Sequence, residues 1–103
     1  MRLALHPEAR AELRTAALWY EEQRPGLGDE FVAAASTVMD RIEQLPASFP
    51  TWPGTEAART PIRRALLRRF PYAIAFEAHE DHVLVSAIAH VKRRPLYWIA
   101  RSY

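Results

Sequence analysis

The chain is predicted to adopt an α+β fold with element order β-α-α-β-β-β. A short N-terminal strand leads into an antiparallel helical hairpin, a three-stranded antiparallel meander follows, and the helices pack on one face of the sheet. Three observations carry this prediction. Two stretches in the first half repeat apolar residues at helical spacing, with only a few residues between them. Three apolar runs in the second half are joined by short turn signals. Ahead of both, Leu3 and Leu5 alternate with Arg2 and Ala4, the period of a strand.

The first helix begins at Pro7, which lacks the N–H that a first turn leaves unpaired, and Glu8 suits the positive end of the helix dipole. Ala9, Leu13, Ala16, Ala17 and Tyr20 share one face, while Glu12, Arg14, Glu21 and Glu22 fall mostly elsewhere. The helix runs to about Gln23, and Pro25-Gly26 ends it. A second helix starts near Gly28-Asp29, with Asp29 as the expected N-cap. Its apolar stripe is Phe31, Ala34, Ala35, Val38, Ile42 and Leu45, and Pro46 stops it. So short a break makes the pair a hairpin, and its alanines allow close approach.

Residues 46–61, PASFPTWPGTEAARTP, hold four prolines and no periodicity. They form a loop, with Phe49 and Trp52 as the side chains that pin it. From Ile62 the pattern becomes β: IRRALLRRF, then YAIAFEA after Pro71, then VLVSAIAH after the turn HEDH. Ile74 and Phe76 are expected on one face, as are Val83, Val85 and Ala87.

With 103 residues and 50% hydrophobic content, one domain spanning 1–103 is expected. No apolar run approaches the roughly 20 residues that span a bilayer. The opening MRLALHPEAR breaks at His6-Pro7 without a cleavage site, so no signal peptide is expected. Zero cysteines exclude disulfides, thiol chemistry and the usual zinc-finger and iron–sulfur arrangements. Localisation is read as cytoplasmic, with no membrane association. Charge is divided unevenly. Residues 1–56 carry five Lys/Arg against nine Asp/Glu, whereas residues 57–103 carry nine against three. The second half is therefore a positive region suited to phosphates or to an acidic protein segment.

Conventional catalytic signatures are missing. The only glycines are Gly26, Gly28 and Gly54, too few and wrongly placed for a phosphate loop, and Ser36, Ser48, Ser86 and Ser102 have no nucleophile-elbow context. His79, Glu80, Asp81 and His82 read as a solvated hairpin tip, since four adjacent residues do not converge on one ion. No metal and no cofactor are expected. Both helices are alanine-rich or acidic, unlike a DNA-recognition helix.

The unusual stretch is HVKRRPLYW, His90 to Trp98. His90 ends the last strand, Pro95 stops further pairing, and Tyr97 and Trp98 fold the tail back onto the sheet. Lys92, Arg93 and Arg94 are held between those fixed points. Of the pairs Arg63-Arg64 and Arg68-Arg69, one member each is expected toward the helix side or its rim, paired with helix carboxylates such as Glu12, Asp40 or Glu43.

Several strings, in this order, carry a family resemblance: WYEEQRPGLGDEF, PASFP followed by IRRALLRRFPYAIAF, and AIAHVKRRPLYWIAR. Together they cover nearly all of residues 1–101. On them the chain resembles the RelE/ParE superfamily of bacterial type II toxin–antitoxin toxins, and its ParE-like branch in particular. The resemblance implies a plasmid-stabilisation type toxin that a cognate antitoxin wraps and silences, with operator DNA reached only through the antitoxin. ParE-like members poison DNA gyrase, whereas RelE-like members are ribosome-dependent mRNA endonucleases. A shared fold does not choose between them.

Each branch implies its own use of the basic half. Metal-free RNA cleavage needs an acid, a base and cations around the phosphate; His90, Arg68, Arg94 and Tyr97 are the candidates. Protein docking draws on Arg64, Arg68, Lys92, Arg93, Arg94 and Trp98, because arginine and tryptophan dominate interface energetics. A toxin-like binding module without poisoning activity is the third alternative.

Overall fold

A computed structural model describes residues 2–101 of the chain; Ser102, one of the serines considered above, lies outside them. The described elements are β1 (Arg2–Leu5), α1 (Pro7–Gln23), α2 (Leu27–Gln44), a 3₁₀ turn (Pro46–Ser48), β2 (Ile62–Leu66), β3 (Tyr72–Ala78) and β4 (His82–His90). The sheet order is β1-β4-β3-β2. The last three strands form the expected antiparallel meander, and β1 lies parallel to β4, with Leu3 opposite Val83 and Leu5 opposite Val85. Among the described residues no helix is long and apolar enough to cross a membrane.

Pro7 opens α1, and the His6 ring accepts the Glu8 N–H at 3.0 Å. The hairpin junction corrects one expectation. Asp29 is not the N-cap of α2, because the helix already starts at Leu27 behind Gly26, whose φ of 88° is left-handed backbone that glycine adopts without steric cost. The first amides of α2 are satisfied from the other helix instead: the Glu21 carboxylate accepts the N–H groups of Gly26 and Gly28 at 3.0 Å. Gly28 is needed for a second reason. A Cβ there would lie 2.5 Å from the Ala17 carbonyl oxygen, so the two helix backbones meet at this point.

The helices cover one face of the sheet. Ala9 and Ala16 of α1 are buried, as are Phe31, Ala35, Val38 and Ile42 of α2, against Ile74, Phe76, Val83, Val85 and Ile88. Phe31 is the centre of an aromatic group, with ring centroids 5.0–5.2 Å from Tyr20, Phe70 and Tyr72. Leu45, expected on this stripe, is exposed, because it caps α2 in a non-helical conformation.

The sheet itself departs from strict alternation. Phe76 pairs with Val85 and Ala75 with Ala87, so Ser86 is an extra residue in β4. This bulge reverses which side chains face the helices. Ala87 therefore does not share a face with Val83 and Val85 as expected; it lies on the opposite side with Ala75 and Ala89. The run IRRALLRRF is also shorter as a strand than its pattern suggests. It stops at Leu66, and the chain turns through Arg69, whose φ is 72°.

The long loop is pinned where expected. Phe49 packs edge-on against Phe76 on the helix side, at 5.7 Å. Residues 50–52 line the free edge of β2: the Trp52 N–H donates to Ile62 O at 2.6 Å, and the Arg64 N–H donates to Pro50 O at 2.8 Å. A sheet edge that would otherwise offer unpaired amides is closed there. Trp52 lies on the face away from the helices.

Candidate functional site

The face of the sheet away from the helices is where the loop, the strand ends and the C-terminal tail meet. The bulge and the small residues Ala75, Ala87 and Ala89 leave a shallow bed, and Trp98 fills it at 1% exposure. Its indole packs edge-on against Trp52, with centroids 4.9 Å apart. A turn with Leu96 at φ 62° brings the tail back to this position. The basic triplet is thus suspended between the end of β4 and a buried tryptophan.

Beside that indole is a groove of about 300 Å³. Arg64, Arg93 and Arg94 line it together with Leu66, Val91 and Pro95, and among the described residues no carboxylate does. Leu66 is 58% exposed and Val91 54%. The Arg64 guanidinium stands 6.0 Å from the centre of the Trp52 ring.

One acidic side chain fastens the tail from behind. Glu12 Oε1 accepts the Arg101 Nη1–H at 2.9 Å and the Ile88 N–H at 3.0 Å, while Oε2 accepts the Tyr97 hydroxyl and the Arg101 Nη2–H. Arg101 also donates to the Ser86 carbonyl at 3.1 Å. The bulge and the end of β1 leave this stretch of the β4 edge without a strand partner, and Glu12 with Arg101 supplies its hydrogen bonds. Two guanidiniums stand beside the Tyr97 ring, that of Arg93 3.9 Å and that of Arg101 5.2 Å from its centre. Burial, together with the hydrogen bond and charge of Glu12, pushes its pKa far above that of free tyrosine. Burial opposes the charge on Arg101, but Glu12 outweighs it and raises that pKa as well. Sequence reasoning assigned Glu12 no such role and placed it off the apolar face. Its side chain is 13% exposed, and its partners lie more than seventy positions away.

The predicted site residues do not all come together. Arg64, Arg93 and Arg94 share the groove, and His90 and Tyr97 contribute to its lining. Arg68 is exposed on the turn after β2 and Lys92 at the start of the tail, and neither lines the groove. Trp98 is buried support rather than an open contact. His90 ends β4, as expected, with its Nδ1 accepting the Lys92 N–H at 3.1 Å and its ring edge-on to Tyr72. Of the two expected arginine–carboxylate pairs one forms: Arg69 pairs with a helix carboxylate, Glu30 of α2, at 2.8 Å, whereas Arg63 donates to the Phe49 carbonyl at 2.6 Å.

Two other features complete the surface. At the hairpin tip the His79 and His82 rings stack at 4.7 Å, bonded to Glu77 and Asp81 respectively. The hydrogen bond from His82 holds the Asp81 carboxyl below its usual pKa. Among the described residues no group of three or more His, Cys, Asp or Glu is arranged to hold a metal ion. Between α1 and the β4 edge lies a wider depression of about 730 Å³, flanked by Trp19, Tyr20, Tyr72 and Arg93.

A scan of protein-family models finds no match to the chain, and a search of curated proteins finds none either. Among solved structures, a chain of the chromosomal ParDE TA system from P. aeruginosa is similar, with a TM-score of 0.64 at 17% identity. The superposition covers 89% of this chain and 97% of that one. The helical hairpin on a four-stranded sheet is therefore a fold that this chain shares with a component of a ParDE system.

Proposed function

We propose that the chain is the toxin of a type II toxin–antitoxin system, ParE-like in kind. In this reading it acts in the cytoplasm and arrests bacterial growth by binding DNA gyrase. A cognate antitoxin neutralises it, and it reaches operator DNA only through that antitoxin. The observation that carries the reading is the fold shared with a ParDE chain over 89% of the sequence. The arrangement of the basic half favours binding over cleavage. The Tyr97 hydroxyl is committed to Glu12, and Arg68 stands apart from the groove that His90, Arg94 and Tyr97 line. An acid–base pair for phosphodiester cleavage needs groups free to reach the scissile bond.

The test is a supercoiling assay with purified gyrase and relaxed plasmid. The protein is expected to abolish supercoiling, and the product of a neighbouring antitoxin gene to restore it. Normal supercoiling at saturating protein, with transcripts cut during translation, would transfer the chain to the ribosome-dependent endonucleases.

A further inference from the structure

We propose that the groove on the open sheet face receives an extended polypeptide segment carrying carboxylates on both sides of one aliphatic side chain. This assigns a chemistry to the partner and rests on the toxin reading above.

The charge of the groove is one-sided. Arg64, Arg93 and Arg94 line it, and among the described residues no acidic side chain does. The only carboxylate that pairs with any of the three among the described residues is Glu12, 3.6 Å from Arg93, and it is already shared by Arg101 and Tyr97. Three guanidiniums so placed attract carboxylates and hold them in planar, two-point contacts. Between them the floor is aliphatic. Leu66 and Val91 present exposed side chains beside Ala73 and Ala89, a bed for one leucine or isoleucine.

A single-stranded nucleic acid carries the same charge, but it would need open ring faces on which to stack bases. The rings here are occupied. The Arg93 and Arg101 guanidiniums stand 3.9 and 5.2 Å from the centre of the Tyr97 ring, Trp98 is buried, Trp52 packs edge-on with Trp98 and has Arg64 6.0 Å from its centre, and His90 is edge-on to Tyr72. The groove offers cations and aliphatic surface, and the rings that line it already pack against other side chains, which suits a peptide.

The experiment is fluorescence polarisation with the full chain and a labelled peptide bearing two glutamates on each side of a single leucine. Comparison probes are the same peptide with leucine changed to serine, the same peptide with glutamates changed to glutamines, and a labelled single-stranded RNA of equal length. The parent peptide is expected to bind and the comparison probes to bind at least about tenfold more weakly. Arg64→Glu and Arg94→Glu are each expected to weaken the peptide about tenfold, since a reversal removes an attraction and adds a repulsion. Leu66→Ser should do likewise without unfolding the protein, because that side chain is mostly exposed. Added salt should weaken binding, as it screens exposed charges. Absence of peptide binding, indifference to the charge reversals, or tighter binding of the RNA would overturn the proposal. Gyrase inhibition measured on the same preparations separates the two readings. Inhibition that persists without peptide binding removes only the chemistry assigned to the groove, whereas loss of both removes the gyrase reading as well.

Discussion

The two faces of the sheet are built by different means. The helix-facing side is a continuous core in which Phe31, Ile42, Ile74, Phe76, Val83 and Val85 are fully buried, and most of its residues come from elements with a clear apolar period. The open side has a much smaller buried group, Ile62, Ala75, Ala87, Ala89 and Trp98. That group exists only because a loop and a tail fold back over the strands. Hydrophobic burial holds the first face. The second depends on one indole and on a carboxylate reaching through from α1.

The comparison is broken most severely by truncating the centre of each face. Phe31→Ala is expected to cost about 3–5 kcal/mol and to lower the midpoint of global thermal unfolding. Trp98→Ala should instead loosen the tail while the helix-facing core persists, because a peripheral segment opens below the global unfolding free energy. Hydrogen exchange separates the outcomes: Trp98→Ala should speed exchange in residues 91–101 and spare the amides of β3. Equal acceleration in both regions would mean that the two faces form one cooperative unit.

A smaller effect is expected from Glu12→Ala. It leaves Arg101 and the Ile88 amide without their acceptor, and a mostly buried, hydrogen-bonded pair broken from one side loses about 2–3 kcal/mol. Faster exchange at Ile88 together with the tail would locate the damage at the β4 edge. A tail that remained protected would show that Trp98 alone holds it.

The smallest effect is a dependence on alkaline pH. Because the folded state raises the Tyr97 pKa, this tyrosine contributes stability that is fully present below its unfolded pKa, near 10. That contribution declines as pH rises above that value toward the folded one. Tyr97→Phe should flatten this part of the alkaline stability profile, and an unchanged slope would point to other groups.

Much of the helix-facing side was legible in the sequence. Helical spacing identified Ala9, Ala16, Phe31, Ala35, Val38 and Ile42 as buried, and the β runs identified the meander. Pro7 and the Pro25-Gly26 break located the hairpin. The misplaced cap at Asp29 shows the limit of such reasoning, because Glu21 reaches the amides of α2 from the neighbouring helix and no spacing within α2 encodes that. Ser86 shows another limit. A bulge adds one residue without changing composition, so period-two counting put Ala87 on the wrong face.

Of the candidate site, the basic triplet and the end of β4 at His90 could be read from order alone. Arg64 joined Arg93 and Arg94 only because the tail folds back across the open face toward β2, while Arg68, four residues further on, was carried away by the turn. Glu12 was unreadable as a tail anchor, since a lone glutamate on a helix is ordinarily solvated.

The sequence by itself determined the elements, their order, the apolar stripe of each helix and the unequal division of charge, because these follow from local periodicity and composition. Tertiary structure alone decided which cations share a groove, which carboxylate fastens the tail, and which tryptophan is support rather than contact. Those outcomes depend on pairings between residues distant in the chain, where burial and hydrogen-bond geometry select among many charged residues that look equivalent in one dimension.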